Sequence, residues 1–299
     1  MVQAVANPVY RSARWRAGPR LKLPDVTVCA ADTLTPALAA RALNICLDQC
    51  DFGDAILFSD APVEGPLRNV AIPRLASVAD YSLFCLREMP GHIDTDFALV
   101  VQWDGYVTNT SAWTGRFRKY DYIGAPIPAQ KGTPTVGNGG FSWRSRKLLR
   151  ALPELPLVPK RNEDWIISHI MRSVLEKDFG IQFAPVSLAD RFSHEVGPPT
   201  RPTFGFHGVP NLPRYENDAD VVAIMAGMPR ASLISRVFFV LLFNCLRDGR
   251  ADLANALYPL IRDDHDADWL AGQMARWSGD AAARLTIAKL EAARLAGTR

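Results

Sequence analysis

Residues 26–50 read VTVCAADTLTPALAARALNICLDQC, and this stretch changes period in the middle. Val26–Ala31 is a short apolar run rich in β-branched residues, the pattern of a buried strand. Asp32 and Thr33 then cap a segment from Leu34 to Cys50 in which Leu38, Ala39, Leu43 and Cys46 recur at helical spacing. Working outward, DAILFSD (Asp54–Asp60) reads as a second strand and VAIPRL (Val70–Leu75) as a third. Ser77 caps a helix through Tyr81, Phe84 and Leu86 that Pro90-Gly91 ends, and FALVVQWDG (Phe97–Gly105) is a fourth strand. Strands alternating with helices predict an α/β fold: a Rossmann-like, mostly parallel sheet flanked by helices. Ligands of such sheets bind at the C-terminal ends of the strands. Cys29–Asp32, Ser59-Asp60 and Asp104 all fall on that edge.

Beyond Tyr106 the chain turns loopy, aromatic and proline-rich. DYIGAPIP (Asp121–Pro128) reads as a strand entering a loop, a helix follows VGNGGFS (Val136–Ser142), another covers Trp165–Leu175, and Ile181–Ser193 reads as a strand. From Asn217 the character changes to four helical stretches, the last being the Ala- and Leu-rich Asp280–Ala296. The expected division is a basic arm at 1–24, an α/β domain at 25–216 and an α-helical C-terminal region at 217–299.

Bulk properties narrow the classes. With 48% hydrophobic and 22% charged residues over 299 positions, the composition is that of a globular chain. A net charge of +3 is too small to argue for nucleic acid, and no basic stripe interleaved with aromatics runs through the domain. Arg11, Arg14, Arg16, Arg20 and Lys22 have no acid among them, which fits either a basic arm or a frayed terminus. Five cysteines, mostly inside apolar runs, read as buried thiols of a reducing compartment. The first residues show no apolar run, so a leader segment is not expected, and the most lipid-like run, Val237–Phe243, is far short of the roughly 20 residues of a span. A cytoplasmic location is expected. Val237–Phe243 is most simply a buried helix; a homo-oligomer interface or peripheral membrane contact through the C-terminal helices stays open.

Four motifs carry chemistry. Gly137-Asn138-Gly139-Gly140 lacks the Lys-Ser/Thr of a phosphate-binding P-loop and does not follow the first strand, so neither nucleotide fingerprint applies. Taken alone it is either a tight turn or a place where backbone approaches a ligand. Asn162-Glu163-Asp164 precedes a helix, where acids cap as readily as they catalyse. Asp104 before Gly105 suits a turn, and His207 between Phe206 and Gly208 suits a core histidine.

Their order along the chain resembles that of the GT-A glycosyltransferases, whose landmarks are an acidic DxD motif, a glycine loop, an ED pair and a late histidine. GNGGFSWRS is similar to the glycine loop of some of these enzymes, and NEDW to their ED motif. QWDGYV, DYIGAP, VGNGGFSWRSRKLL, NED and FGFHG together resemble a GT-A-like family of unknown function, over roughly residues 25–210. The resemblance implies transfer of a sugar from a nucleotide-sugar donor to a saccharide or other acceptor hydroxyl. It implies Mn²⁺ or Mg²⁺ on Asp104 and His207, with Asp164 as general base of an inverting reaction and Glu163 orienting it or binding acceptor. Gly137, Asn138, Gly139, Gly140, Trp143 and Arg144 would bind sugar or phosphate, with Trp165 an alternative stacking platform. Asp32 and Asp60 would take base and ribose, and Arg191 and Glu195 are weaker candidates. The DxD position departs from the pattern: it reads Gln102-Trp103-Asp104 and keeps only the last acid. That departure favours one alternative, a catalytically inactive nucleotide- or sugar-binding protein; a second alternative, a metal-dependent nucleotidyltransferase, would usually want more metal carboxylates than Asp104 alone.

Overall fold

The computed structural model describes residues 19–127, 135–156 and 161–297. The chain divides into two compact units, one up to His207 and one from Gly208. In the first, β1 (Leu21–Ala31), α1 (Pro36–Gln49), β2 (Cys50–Ser59), β3 (Arg68–Ala71), α2 (Val78–Arg87) and β4 (Phe97–Val101) alternate as the periodicity predicts. β1 begins at Leu21, inside the stretch read as a basic arm, where Arg20 and Lys22 pair with Asp51 at the surface. The arm's residues 1–18 lie outside the described residues.

The described sheet has six strands in the order β3-β2-β1-β4-β8-β5, with β5 at Tyr122–Ile123 and β8 at Phe141–Ser145. β3, β2, β1 and β4 run parallel, while β8 is antiparallel to both β4 and β5. The chain moves from β1 outward to β2 and β3, then crosses back to β4 on the other side of β1. The gap between the C-terminal ends of β1 and β4 is therefore a topological switch point, the place where open α/β sheets bind ligands. Asp32 closes β1, and Gln102–Asp104 closes β4.

Core positions follow from strand alternation and helix periodicity. Val26, Val28, Ile56, Leu57 and Leu99 are almost fully buried, with Leu38, Leu43 and Cys46 of α1. All five cysteines are buried, and burial pushes the thiols of Cys29 and Cys46 up to about 12. A small hairpin of β6 (Pro126–Ile127) and β7 (Thr135–Val136) precedes β8. After β8, α3 (Arg146–Ala151) is capped by the Ser145 hydroxyl. α4 (Glu163–Trp165) runs into a π-helical turn at Ile166–Ile170 and on to α5 (Arg172–Asp178).

Ile181–Ser193, expected as a strand, is instead mostly helix: α6 (Val186–Phe192), with only Ser193–His194 (β9) extended. Pro185 sets its first turn, and Leu188, Ala189 and Phe192 are buried at helical spacing, a pattern masked in sequence by the apolar residues before Pro185. β9 pairs in parallel with β10 (Gly205–Phe206), which brings Glu195 and His207 beside each other.

The second unit holds α7 (Leu212–Tyr215), α8 (Asp218–Ala226), α9 (Arg230–Leu233), α10 (Arg236–Arg247), α11 (Ala251–Leu257), α12 (Pro259–Arg262), α13 (Ala267–Ser278) and α14 (Asp280–Gly297). Seven of these begin after Asn217 where four stretches were expected, because Pro229, Gly249, Pro259 and Gly279 break the runs. Val237–Phe243 lies in α10, with Phe238, Phe239, Leu241 and Leu242 buried and Val237 and Phe243 exposed. No helix among the described residues is long and apolar enough to cross a membrane.

Candidate active site

Gly137–Gly140 is the hub of the site, and its glycines have a physical reason other than ligand access. A Cβ on Gly140 would sit 2.1 Å from Nε2 of His207, and one on Gly139 would sit 2.5 Å from Oε1 of Glu163 and 2.8 Å from Cβ of Asp164. A Cβ on Gly137 would meet Ile127 and Ser168 at 2.8 Å. The expectation that bare backbone lets these N–H groups reach a sugar needs correction. Gly139 N–H donates to Oδ2 of Asp164 (3.1 Å), and Gly140 N–H donates to Oδ1 of Asn138 (3.1 Å). The loop is bare so that the protein's own acids and histidine can close on it.

The loop is held from below as well. Tyr122 Oη donates to the carbonyls of Gly137 (2.9 Å) and Asn138 (3.2 Å), and Ser142 Oγ donates to the Gly139 carbonyl (2.9 Å). On the same strand, Arg144 is fully buried. Its Nη2 pairs with Oε1 of Glu163 at 3.1 Å, and its Nε donates to Ser142 Oγ at 3.1 Å. Burial acts to lower the Arg144 pKa, but the Glu163 carboxylate, together with the Tyr122, Cys85 and Tyr81 groups, outweighs it, so the guanidinium stays charged. Of the two partners the sequence leaves open for Arg144, a phosphate or a neighbouring acid, the structure shows the acid, Glu163.

Asp164 differs from its neighbour. Burial first, and the Glu163 charge second, raise its pKa to about 6, against two backbone N–H bonds that pull the other way. Those bonds come from Gly139 and, at 2.6 Å, from Trp165. Asn162 stands at the helix N-cap but makes no capping bond with its side chain.

The other cluster gathers around His207. Its ring bonds Gln102 Oε1 through Nε2 (3.0 Å) and Glu195 Oε1 through Nδ1 (3.2 Å), with Asp104 Oδ1 at 3.4 Å from Nε2. Burial acts to lower the His207 pKa, yet Asp104 and Glu195 outweigh it and hold the ring protonated well above the usual range. Gln102 Nε2 donates in turn to Tyr81 Oη (2.9 Å). Gln102, at the position of the missing acid, thus ties α2 to His207. Nothing in its sequence context signals this role, nor that of Tyr81.

Both clusters line one hollow of about 460 Å³ at the switch point. Its walls include Asp32, Thr33, Leu75, Ser77, Tyr81, Gln102, Trp103, Asn138, Gly140, Asn162, Glu163, Asp164, Glu195 and His207. Asp32 is engaged as a cap, accepting the N–H groups of Leu34 (2.7 Å) and Thr35 (2.6 Å) and the Thr35 hydroxyl (3.0 Å). Burial, opposed by these bonds, raises its pKa. A second hollow of about 380 Å³ is lined by Ile127, Asn138, Arg161, Asn162, Asp164, Trp165 and Glu195. Asn138, Asn162, Asp164 and Glu195 line both.

Three expected residues stand elsewhere. Trp143 is wholly buried, stacked on Phe97 at 4.5 Å and edge-on to Trp113, because odd positions of β8 face the aromatic core. Arg191, on α6, donates to the Ala112 carbonyl (3.1 Å). Asp60 follows β2 but lines neither hollow.

For a divalent cation the donor types are suitable: a carboxylate and an imidazole nitrogen 3.4 Å apart, with an amide oxygen adjacent. Among the described residues no three His, Cys, Asp or Glu side chains converge as a metal site. Asp104 and His207 would therefore need phosphate oxygens and water to complete a coordination shell.

A family model described as "Protein of unknown function (DUF5672)" matches residues 67–207. Comparison with curated proteins gives no match. Among solved structures, the chain is similar to a mannosyltransferase, PcManGT from Pyrobaculum calidifontis, in complex with GDP-Man and Mn²⁺. The identity is 14%, covering 96% of this chain and 92% of that one, with a TM-score of 0.40. It is also similar to residues 1–349 of TarS from S. aureus in complex with UDP-GlcNAc, at 10% identity, 91% and 92% coverage and a TM-score of 0.36.

Proposed function

We propose that the chain is a glycosyltransferase that moves a sugar from a nucleotide-sugar donor to an acceptor hydroxyl. The observation that carries this reading is the position of Asp164: a carboxylate with a pKa near 6 at the boundary between two hollows. The larger hollow lies at the sheet's switch point and suits a nucleotide, with its diphosphate toward Asp104 and His207. The smaller one suits the acceptor. The motif order that resembles the GT-A enzymes agrees with this division.

Breaking the anomeric C–O bond leaves negative charge on the departing diphosphate and requires a proton to leave the acceptor hydroxyl. Asp164 takes that proton. Its raised pKa brings it close to neutral pH, where a base is both ionised and strong enough to act. Glu163 adds its charge to keep that pKa up while Arg144 fixes its position. His207, oriented by Gln102 and Glu195, faces the leaving group together with Asp104. Mn²⁺ or Mg²⁺ would be held by Asp104 and by a His207 ring that has given up its proton, and would supply positive charge for the diphosphate; with the ring protonated, the imidazolium supplies that charge itself.

Thermal shift with UDP, GDP, CMP and dTDP, with and without Mn²⁺, tests the reading. One nucleotide at about 100 times its Kd should stabilise the fold by roughly 2.7 kcal/mol. Stabilisation by one nucleotide, followed by release of that nucleotide from its sugar derivative, is the expected result. No shift with any of the four overturns it.

A further inference from the structure

Among the described residues the smaller hollow has two apolar side chains, Ile127 and Trp165, in a lining that is otherwise polar. Trp165 is 36% exposed, although it sits on a helix that begins among buried residues. One face of its indole is covered: the His169 ring stacks on it at 3.7 Å with an interplanar angle of 11°. His169 is itself fixed, with Nδ1 against Ser168 Oγ (2.7 Å) and Nε2 against Thr135 Oγ1 (3.0 Å). Ser168 Oγ donates to the Asp164 carbonyl (2.6 Å). The indole is thus held flat by the same π-helical turn that follows the Asp164 carboxylate, and the two residues are consecutive.

Around this platform stand Asn138, Arg161, Asn162, Asp164 and Glu195. Flat aromatic rings with adjacent carboxylates, amides and guanidinium match the two sides of a pyranose: its C–H face and its rim of hydroxyls. A lipid acceptor would want an apolar lining, which this hollow lacks. An anionic acceptor would meet two carboxylates against one arginine.

We propose that this hollow is the acceptor subsite, and that the acceptor is a neutral saccharide whose ring stacks on Trp165 so that a hydroxyl reaches Asp164. This rests on the glycosyltransferase reading above. In the transfer, the acceptor O–H proton passes to the Asp164 carboxylate, the acceptor oxygen bonds the anomeric carbon, and the anomeric C–O bond breaks with its electron pair going to the nucleoside diphosphate.

The test is saturation-transfer NMR with methyl glycosides of glucose, galactose, mannose and N-acetylglucosamine. A serine-containing peptide serves as comparison, in the presence of the nucleoside diphosphate that stabilises the protein. The wild type should show transfer from at least one glycoside and none from the peptide. Trp165→Ala should weaken that glycoside at least tenfold, Trp165→Phe less than threefold, and neither should alter the nucleotide's thermal shift. No signal from any glycoside, a peptide signal instead, or equal glycoside binding by Trp165→Ala overturns the saccharide assignment while the nucleotide shift still upholds the transferase reading. Loss of the nucleotide shift in the wild type overturns both.

Discussion

Asp164 and His207 line the same hollow and both hold protons beyond their ordinary range, yet for contrary reasons. Asp164 is penalised as an anion, by burial and by the Glu163 charge. His207 is favoured as a cation, by Asp104 and Glu195, against its burial. The Asp164 carboxylate is steadied by backbone N–H groups of the loop and its own helix, whereas His207 is steadied by three side chains from two separate stretches. On the proposed reading the difference suits two tasks: a base whose affinity for a proton matches neutral pH, and a positively charged position, imidazolium or metal, that faces an anion. Two ionisable groups in one cavity with environments that set them apart are the usual sign of divided acid–base roles.

Removing one side of this contrast should have the largest effect. Asp164→Asn should lower turnover by about 10² to 10⁴, while nucleotide affinity by calorimetry stays within about threefold. Should affinity fall as far as turnover, Asp164 belongs with the nucleotide and the division of tasks is lost.

Next come the supports of the Asp164 side. Glu163→Ala leaves Arg144 charged and buried without its carboxylate, a change that costs about 3–5 kcal/mol. Calorimetric melting of the variant should show a drop of about 6–20 °C, at roughly 2–4 °C per kcal/mol for a unit of this size. An unchanged melting temperature would show that the buried pair is not holding the turn in place.

On the His207 side, Gly140→Ala places a methyl against Nε2 and should push the ring from Gln102 and Asp104. Nucleotide-dependent stabilisation should then fall at least tenfold in apparent affinity, with the far-ultraviolet circular dichroism spectrum retained. Binding at the wild-type level would mean that His207 does not face the nucleotide. The smallest effect belongs to a residue outside both hollows: Asp60→Asn should leave stability within about 0.5 kcal/mol and nucleotide affinity unchanged.

Much of this was legible in residues alone. The alternation from Val26 to Gly105 predicts the parallel sheet because each buried strand is a continuous apolar run between turn residues, and β2 and β4 follow it closely. Asp104, Asn138, Asp164 and His207, widely spaced in sequence, come together around one loop. What one sequence does not reveal is which side a group faces. Arg144 and Trp143 are adjacent on β8, so one must face the loop's underside and the other the aromatic core; neither reaches the hollow. Bare glycine is compatible with a ligand or with a neighbour's side chain, and only packing distinguishes the two. α6 was missed because Ile181–Ala184 is extended and apolar up to Pro185, and the helical period begins only after it.

The central claim, that Asp164 is the base at the boundary of the two hollows, is tested most directly by the pH dependence of sugar transfer under single-turnover conditions. Asp164 must be ionised to accept a proton, and its pKa lies near 6. Above that value the rate should be level, and below it the rate should fall about tenfold per pH unit. Asp164→Glu should retain measurable transfer with a displaced limb. A wild-type rate that stays flat from pH 5 to pH 7.5, or a limb near 6 that persists in Asp164→Asn, would contradict the account.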